Sequence, residues 1–216
     1  AHTPIVPLDA ENVVVTARVV PTFNAISNIV LRYRVMYGAE VETPMFDDGA
    51  HGDGAAGDGL YGATIPESAS TSGQMVRWFF RATDMAGNVS RWPLFANALD
   101  SAQYLGTVVN PAYVTSKLPI YHLFADTGVL GAPPAGGSAG ADSQAGSYVS
   151  VFYDGEFYDN VRMELRGNST AGYLKKSHRF DFNREHPLRH QAGLPRVRKT
   201  SFTADYPDQS FLRQEL

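Results

Sequence analysis

Alternating apolar and polar residues dominate the first half of the chain and predict its strands. In residues 28–37 apolar side chains occupy every second position, with Arg32 and Arg34 between them. Residues 75–82 repeat the pattern, with Arg77 expected to face outward. A period of two is typical of a strand with one buried face, so both segments are predicted strands.

Shorter runs of the same kind complete the first half. Residues 13–20 are rich in β-branched side chains, and residues 41–46 and 60–65 form brief apolar runs bounded by Gly, Asp and Pro. Short strands at this spacing are typical of an immunoglobulin-like or fibronectin-type β-sandwich. We assign this predicted sandwich to residues 1–98 and a connector to residues 99–117.

The second half is predicted to be mainly β as well, as a smaller domain over residues 118–216. Asp154-Gly155 separates two β-rich runs and predicts a two-residue hairpin, because a type I′ turn needs positive φ at both positions. Residues 131–147, rich in Gly, Ala and Ser, are interpreted as a flexible insertion. The predicted strands are residues 118–124, 148–153, 156–165, 174–182 and 196–202.

Composition agrees with two packed domains. The chain has 216 residues, of which 44% are hydrophobic and 19% charged, so globular cores are expected. The absence of cysteine excludes a disulfide scaffold, a thiol nucleophile and a Cys-ligated metal. No apolar run is long enough to predict a membrane span.

Charge is distributed unevenly along the chain. The formal net charge is −4, yet residues 162–199 hold ten basic and three acidic residues, a local net charge of +7. Such a shift usually marks domains with different functions. Nucleic-acid binding is possible on charge alone, but no nucleic-acid-binding motif accompanies the basic residues, and it is not predicted.

An acidic loop between two predicted strands is the densest motif of the first half. Its carboxylates alternate with glycines, and they are Asp47, Asp48, Asp53 and Asp58. Carboxylates in a flexible loop suit Ca²⁺, although the spacing is not that of an EF-hand. The alternative is a turn cluster in which the Asp side chains bind the loop backbone. The segment from Asp48 to Pro66 resembles the loop of Ig-like modules in large bacterial secreted proteins.

A basic strand-turn-strand is the densest motif of the second half. Free N–H groups of a Gly-Asn-Ser turn together with neighbouring cations are suited to bind phosphate. The alternative is a solvated basic face on an edge strand. The predicted nucleotide- or phosphate-binding residues are Arg166, Gly167, Asn168, Ser169, Lys175, Lys176 and Arg179.

Four motifs in this half, in the family order, resemble the spore-coat CotH kinase family. They are residues 118–123, residues 166–169, residues 175–180 and residues 206–213. The resemblance implies a secreted or cell-surface bacterial protein, related to atypical protein kinases that use ATP and a divalent metal. An Ig-like module often precedes the kinase-like domain in larger members, and here it would act as a spacer or docking module.

The resemblance also implies that this chain is not catalytic by itself. It places the basic strands in the nucleotide-covering small lobe, where Lys176, or failing that Lys175, would contact phosphates. The family's catalytic and metal-binding aspartates belong to a large lobe beyond a helix predicted to begin at Asp208. We therefore expect ATP and Mg²⁺ to act only in a longer parent protein, of which this chain is a fragment.

A different class of function also fits the sequence. Both parts could belong to a non-enzymatic extracellular structural or adhesive protein that self-associates or contacts carbohydrate or a cell surface. A protein partner is compatible with either hypothesis, and self-association independent of nucleotide would favour the structural one.

Overall fold

The computed structural model describes residues 1–111, 119–126, 147–166 and 177–203. Strands are nearly the only regular elements of these residues, and they are arranged in three sheets in which every pair of neighbouring strands is antiparallel. One short 3₁₀ helix, Glu67–Ala69, interrupts the strands of the first part. The mainly β fold predicted from the sequence is confirmed.

Two sheets form the first part, which we call the sandwich. The smaller has the order β1-β2-β5, and the larger has the order β4-β3-β6-β7, with β8 also pairing with β6. Their strands are β1 (His2–Thr3), β2 (Val13–Arg18), β3 (Ile26–Val35), β4 (Val41–Pro44), β5 (Leu60–Ile65), β6 (Met75–Asp84), β7 (Val89–Trp92) and β8 (Leu105–Val108).

The core of the sandwich is formed by the apolar side chains that occupy every second position of its strands. Leu31 of β3 and Trp78 of β6 are 0% and 1% exposed, and Val15 of β2 packs from the facing sheet. Burying such side chains contributes about 25 cal/mol per Å² of apolar area, which makes this core the main stabilising element of the sandwich.

The remaining strands of the described residues form one antiparallel sheet, which we call the second sheet. Its order is β13-β12-β11-β10-β9, and its core includes Val151, Tyr158 and Phe180. The predicted hairpin is present: Asp154 and Gly155 have φ of 49° and 75° and join Tyr153 to Glu156. The strands are β9 (His122–Phe124), β10 (Ser147–Tyr153), β11 (Glu156–Arg166), β12 (Ser177–Asp181) and β13 (Lys199–Phe202).

The structure differs from the prediction in the connector. Strand β8, Leu105–Val108, lies within predicted residues 99–117, yet it pairs with Met75–Trp78 along the edge of β6. The segment therefore adds a strand to the larger sheet of the sandwich. Most of the predicted insertion and the helix predicted from Asp208 lie outside the described residues.

Candidate functional site

The acidic loop connects β4 to β5 and is held by its own carboxylates. Asp53 is 0% exposed, and its side chain accepts the backbone N–H groups of Asp48, Gly49 and His51 at 2.6–2.8 Å. These bonds, led by the one from Gly49, lower the pKa of Asp53 although burial opposes ionisation. Asp53 therefore organises the first half of the loop.

The other three loop carboxylates also bind loop atoms. Asp47 accepts N–H groups of Gly57 and Gly59 at 2.8 and 2.9 Å. Asp58 accepts the N–H of Leu60 at 2.8 Å, and Asp48 lies 2.9 Å from Nδ1 of His51. Within the described ranges no three His, Asp or Glu side chains form a group able to hold a metal ion. The geometry favours the turn-cluster interpretation, and Ca²⁺ binding stays a prediction.

Two of the predicted phosphate-binding residues lie on neighbouring strands of the second sheet. Arg179 of β12 pairs directly opposite Glu164 of β11, and Arg166 is paired with Ser177 further along. Glu164 is 6% exposed and binds the guanidinium of Arg179. Arg166 donates to Oγ1 of Thr203 at 3.4 Å.

The carboxylate of Glu164 is shared between two arginines, since Nη2 of Arg162 also lies 2.7 Å from it. Arg162, Arg166 and Arg179 therefore form a cationic face with one buried acid at its centre. The remaining predicted residues, Gly167, Asn168, Ser169, Lys175 and Lys176, lie outside the described residues.

A site that the sequence did not indicate joins the two parts, and we call it the junction. Asp159 of β11 is 3% exposed and accepts the N–H groups of Gln103 and Tyr104 at 3.0 and 2.9 Å. Its other oxygen accepts from Oγ of Ser150 at 2.9 Å and lies 3.5 Å from Nη1 of Arg77. All four partners bind one buried carboxylate, so Asp159 links the second sheet to the sandwich.

Alternation along β11 makes Asp159 face the sandwich, because Phe157, two residues before it, packs against the sandwich, whereas Tyr158 lies in the core of the second sheet. The register of β10 and β11 shifts between Val149 and Val151, which sets Asp159 and Asn160 opposite Ser150. Asn160 has φ of 53°, in the left-handed region that Asn tolerates better than most residues. The β-bulge shifts the alternation by one residue, so that Val161 and Met163, which follow it, lie in the same core as Tyr158.

Close packing accompanies the polar contacts of the junction. A Cβ on Gly106 of β8 would lie 2.6 Å from ring carbons of Phe157, so glycine is needed for this approach. Phe157, Phe152 and Phe124 of the second sheet pack with Met75 and Val108 of the sandwich in one buried apolar cluster. The two parts therefore share a core as well as a buried ion pair.

A second carboxylate of the second sheet is surrounded by cations. Nη1 and Nη2 of Arg196 lie 2.7 and 2.9 Å from Glu156, and Oη of Tyr158 donates to it at 2.7 Å. Burial opposes ionisation, but the hydrogen bonds from Arg196 and Tyr158 lower the pKa of Glu156 to about 2. His186 stacks on Tyr158 at 4.5 Å, and burial lowers the pKa of His186.

The junction was not predicted from the sequence, because the residues that form it lie far apart in the chain. Asp159-Asn160 places two polar residues in succession within β11, and this break in the alternation was the available signal of a bulge. Its partners Arg77 and Tyr104 lie 82 and 55 positions away in the chain. No periodicity links residues so far apart, so only the folded chain brings them together.

Comparison with known proteins identifies the sandwich. Residues 8–95 match the family model of the conditioned medium factor 2nd Ig-like domain. Together with the two packed antiparallel sheets, this match shows that the sandwich is an Ig-like module. No curated protein matches the chain. In the part of the chain that the structure describes, no helix is long and apolar enough to cross a membrane.

Two solved structures are similar to the chain at low identity. Both are of the cycloalternan-degrading enzyme from Trueperella pyogenes, one of them in complex with cycloalternan. Identity is 12% and the TM-score 0.32 in each case, over 77% of this chain. The similarity covers 18% and 21% of those chains, so this chain spans about one fifth of their length.

Proposed function

We propose that this chain is the non-catalytic front part of a secreted bacterial CotH-like protein. In this proposal the Ig-like sandwich holds the second sheet in a fixed orientation, and the second sheet supplies half of an ATP site. The observation that carries the proposal is the junction, in which buried Asp159 binds Arg77 and two backbone N–H groups of the sandwich. A flexible spacer would need no such shared core.

The cationic face of the second sheet supports the nucleotide part of the proposal. Arg166 and Arg179 lie on adjacent strands, and Glu164 orients the guanidinium of Arg179. Guanidinium groups fixed in this way bind phosphate oxygens well, because little side-chain entropy is lost on binding. Lys175 and Lys176 immediately precede β12 in the sequence and would add further positive charge.

The proposal is tested by nucleotide binding to a C-terminally extended form of the chain, in which the large lobe would complete the ATP site. ATP with Mg²⁺ should raise its melting temperature in a saturable way, because a ligand that binds only the folded state stabilises it by mass action. Lys176→Ala and Arg166→Ala should each reduce the ATP affinity, by about tenfold for one lost charge-assisted hydrogen bond. No phosphoryl transfer to an acceptor protein is expected from this chain.

Arg81→Ala is the matched control, since Arg81 is a basic residue of the sandwich that pairs with Glu42. It should leave ATP binding unchanged. Equal loss of ATP binding in Arg81→Ala and Lys176→Ala would mean that ATP responds only to net charge. That result, or no binding at all, would contradict the ATP site.

A second candidate function is assembly or surface contact through the Ig-like module. A cleft of about 650 Å³ opens between its two sheets, and Val20 and Trp92, which line it, are 74% and 61% exposed. Phe23 of the same module is 97% exposed. Large exposed apolar side chains favour contact with another molecule. Sedimentation that shows self-association without nucleotide would favour this function.

A further inference from the structure

The cleft of the Ig-like sandwich lies beside a strand edge that is only partly paired. β1 covers β2 as far as Thr16, whose carbonyl accepts from the amino group of Ala1 at 2.8 Å. Beyond Thr16, residues 17–20 line the cleft of about 650 Å³, and Trp92 of β7 lines its other side. We call this stretch of residues 17–20 the open edge, because it faces a cavity rather than a neighbouring strand.

Arg18 presents its backbone hydrogen-bonding groups to the open edge. Within a strand, the N–H and C=O groups of successive residues point to alternate neighbouring strands. Thr16 bonds to Ala1 on the β1 side, and the N–H of Val19 bonds to Gly59 on the β5 side. The N–H and C=O of Arg18 consequently point to the β1 side, where the described residues place no strand. An added strand could bind both groups, as in β-strand addition.

The inner face of the larger sheet is uncovered at the same place. Trp92 of β7 lies opposite Phe80 of β6, so both side chains point between the two sheets. Phe80 is 7% exposed and belongs to the core, whereas Trp92 is 61% exposed because the cleft opens in front of it. A large aromatic side chain on the inner face of a sandwich is normally buried, so Trp92 indicates where a covering strand would fit.

The side chain of Arg18 adds a positive charge to the open edge. It is exposed, and its Nη1 donates to the backbone carbonyl of Asp58 at 3.1 Å rather than to a carboxylate. Residues directly opposite each other on paired strands lie on the same face, and opposite charges at such positions stabilise the pair. An added strand with an acidic residue opposite Arg18 is therefore favoured.

We propose that the open edge binds an extended peptide strand of a partner protein, in which an acidic residue stands between two apolar residues. The strand runs antiparallel to β2, in line with β1, and its acidic residue lies opposite Arg18. Its apolar residues lie opposite Ala17 and Val19, which pack against the core, so they point into the cleft toward Trp92. The proposal rests on the second candidate function, contact through the Ig-like module, and names the partner's chemistry.

The β2 strand of a second copy does not fit the open edge. Symmetric pairing of two β2 strands about Arg18 would set Val20 of one copy opposite Thr16 of the other, where Ala1 is already bound. It would also place two arginines directly opposite each other, which is unfavourable. The open edge thus needs a strand of different sequence.

The test uses the 216-residue chain and a capped probe peptide, acetyl-Thr-Val-Glu-Val-Thr-amide. Tryptophan fluorescence is the readout, because Trp92 is exposed whereas Trp78, the other tryptophan of the chain, is 1% exposed. Binding should shift the emission to shorter wavelength and protect Trp92 from quenching by acrylamide in a saturable way. Replacing the glutamate of the peptide by lysine should weaken binding about fivefold, because like charges then meet at Arg18.

Arg18→Pro removes the backbone N–H that the peptide must bind, at a position whose N–H does not serve the pairing with β5, and it should weaken binding about tenfold. Arg18→Ala is the matched control, since it keeps the N–H and removes only the charge. That variant should bind the glutamate and lysine peptides about equally. A peptide with an N-methylated glutamate loses the reciprocal bond to the carbonyl of Arg18 and should bind the native chain about tenfold more weakly, which keeps the test decisive even if Arg18→Pro does not fold.

Three kinds of result would overturn the proposal. If the peptide does not protect Trp92, or if its N-methylated form binds equally well, the open edge does not pair with a strand. If the native chain self-associates in sedimentation and Trp92 is protected without the peptide, the partner is a second copy, and the contact function stands although the peptide is wrong. If residues that precede Ala1 in a longer form protect Trp92, the chain itself fills the open edge.

Discussion

Carboxylates of this chain differ in how far along the sequence their partners lie. Asp53 accepts N–H groups from residues within five positions, so its role is set by local turn geometry. Glu156 binds Arg196, which is 40 positions away. The first kind of contact can be foreseen as an Asx turn, whereas the second requires strands to be paired first.

Glu156 makes the stability of the chain depend on pH. Its pKa is about 2 in the folded state against an ordinary value of 4.5. A lowered folded pKa contributes stability above about pH 4.5, and that contribution is lost as the pH falls toward 2. Glu156→Gln should lower the free energy of unfolding by about 2 kcal/mol at pH 7.

Denaturation by urea at a series of pH values checks this prediction. The difference between native chain and Glu156→Gln should shrink from pH 5 downward. Glu185→Gln, a change at an exposed glutamate of the loop after β12, should leave the unfolding free energy nearly unchanged throughout. A difference that stayed constant down to pH 2 would mean that the charge of Glu156 does not contribute.

At the scale of elements, the strands formed where apolar and polar residues alternate, and the loops formed where Gly and Asp cluster. β5 has the predicted bounds, residues 60–65, and β6 begins at the predicted Met75. The Asp154-Gly155 turn has the positive φ angles predicted from its two residue types. Local sterics decide such features, which is why a short sequence window suffices to find them.

The acidic loop gives a prediction at this scale. Asp53→Ala should lower the melting temperature clearly more than Asp48→Ala, because Asp53 is fully buried and accepts three backbone N–H groups, whereas the side chain of Asp48 is 46% exposed. The loss should be the same in EDTA as in Ca²⁺, as measured by calorimetry. A rise in the native melting temperature with Ca²⁺, abolished by Asp53→Ala, would favour the calcium interpretation.

At the scale of the whole molecule, the junction makes the sandwich and the second sheet one unit. Arg77 was expected to face outward, and it does face away from the core of the sandwich, yet it is 6% exposed because the second sheet covers that face. Phe79 on the same strand is 7% exposed, because Tyr104 and Arg91 of the sandwich cover its ring. The second sheet thus buries Arg77, a side chain that the alternation of β6 alone predicts to be exposed to solvent.

Asp159→Ala tests the junction directly. It leaves Arg77 buried without its acid, and removing one partner of a buried pair should lower the free energy of unfolding by about 3 kcal/mol. Asp181→Asn is the control, since Asp181 forms exposed pairs with Lys199 and Arg198 in the same sheet and should cost less than about 1 kcal/mol. Chemical denaturation compares the two, and equal small losses would contradict a stabilising role for the junction.

By itself the sequence determined most of the strands, the hairpin and the Ig-like class of the first module, because these depend on residue type and spacing over short distances. Tertiary structure alone decided that β8 belongs to the sandwich and that Asp159 meets Arg77. Each of those contacts joins segments far apart in the chain. Their formation depends on how two sheets pack, and packing geometry is a property of the assembled surfaces rather than of any one segment.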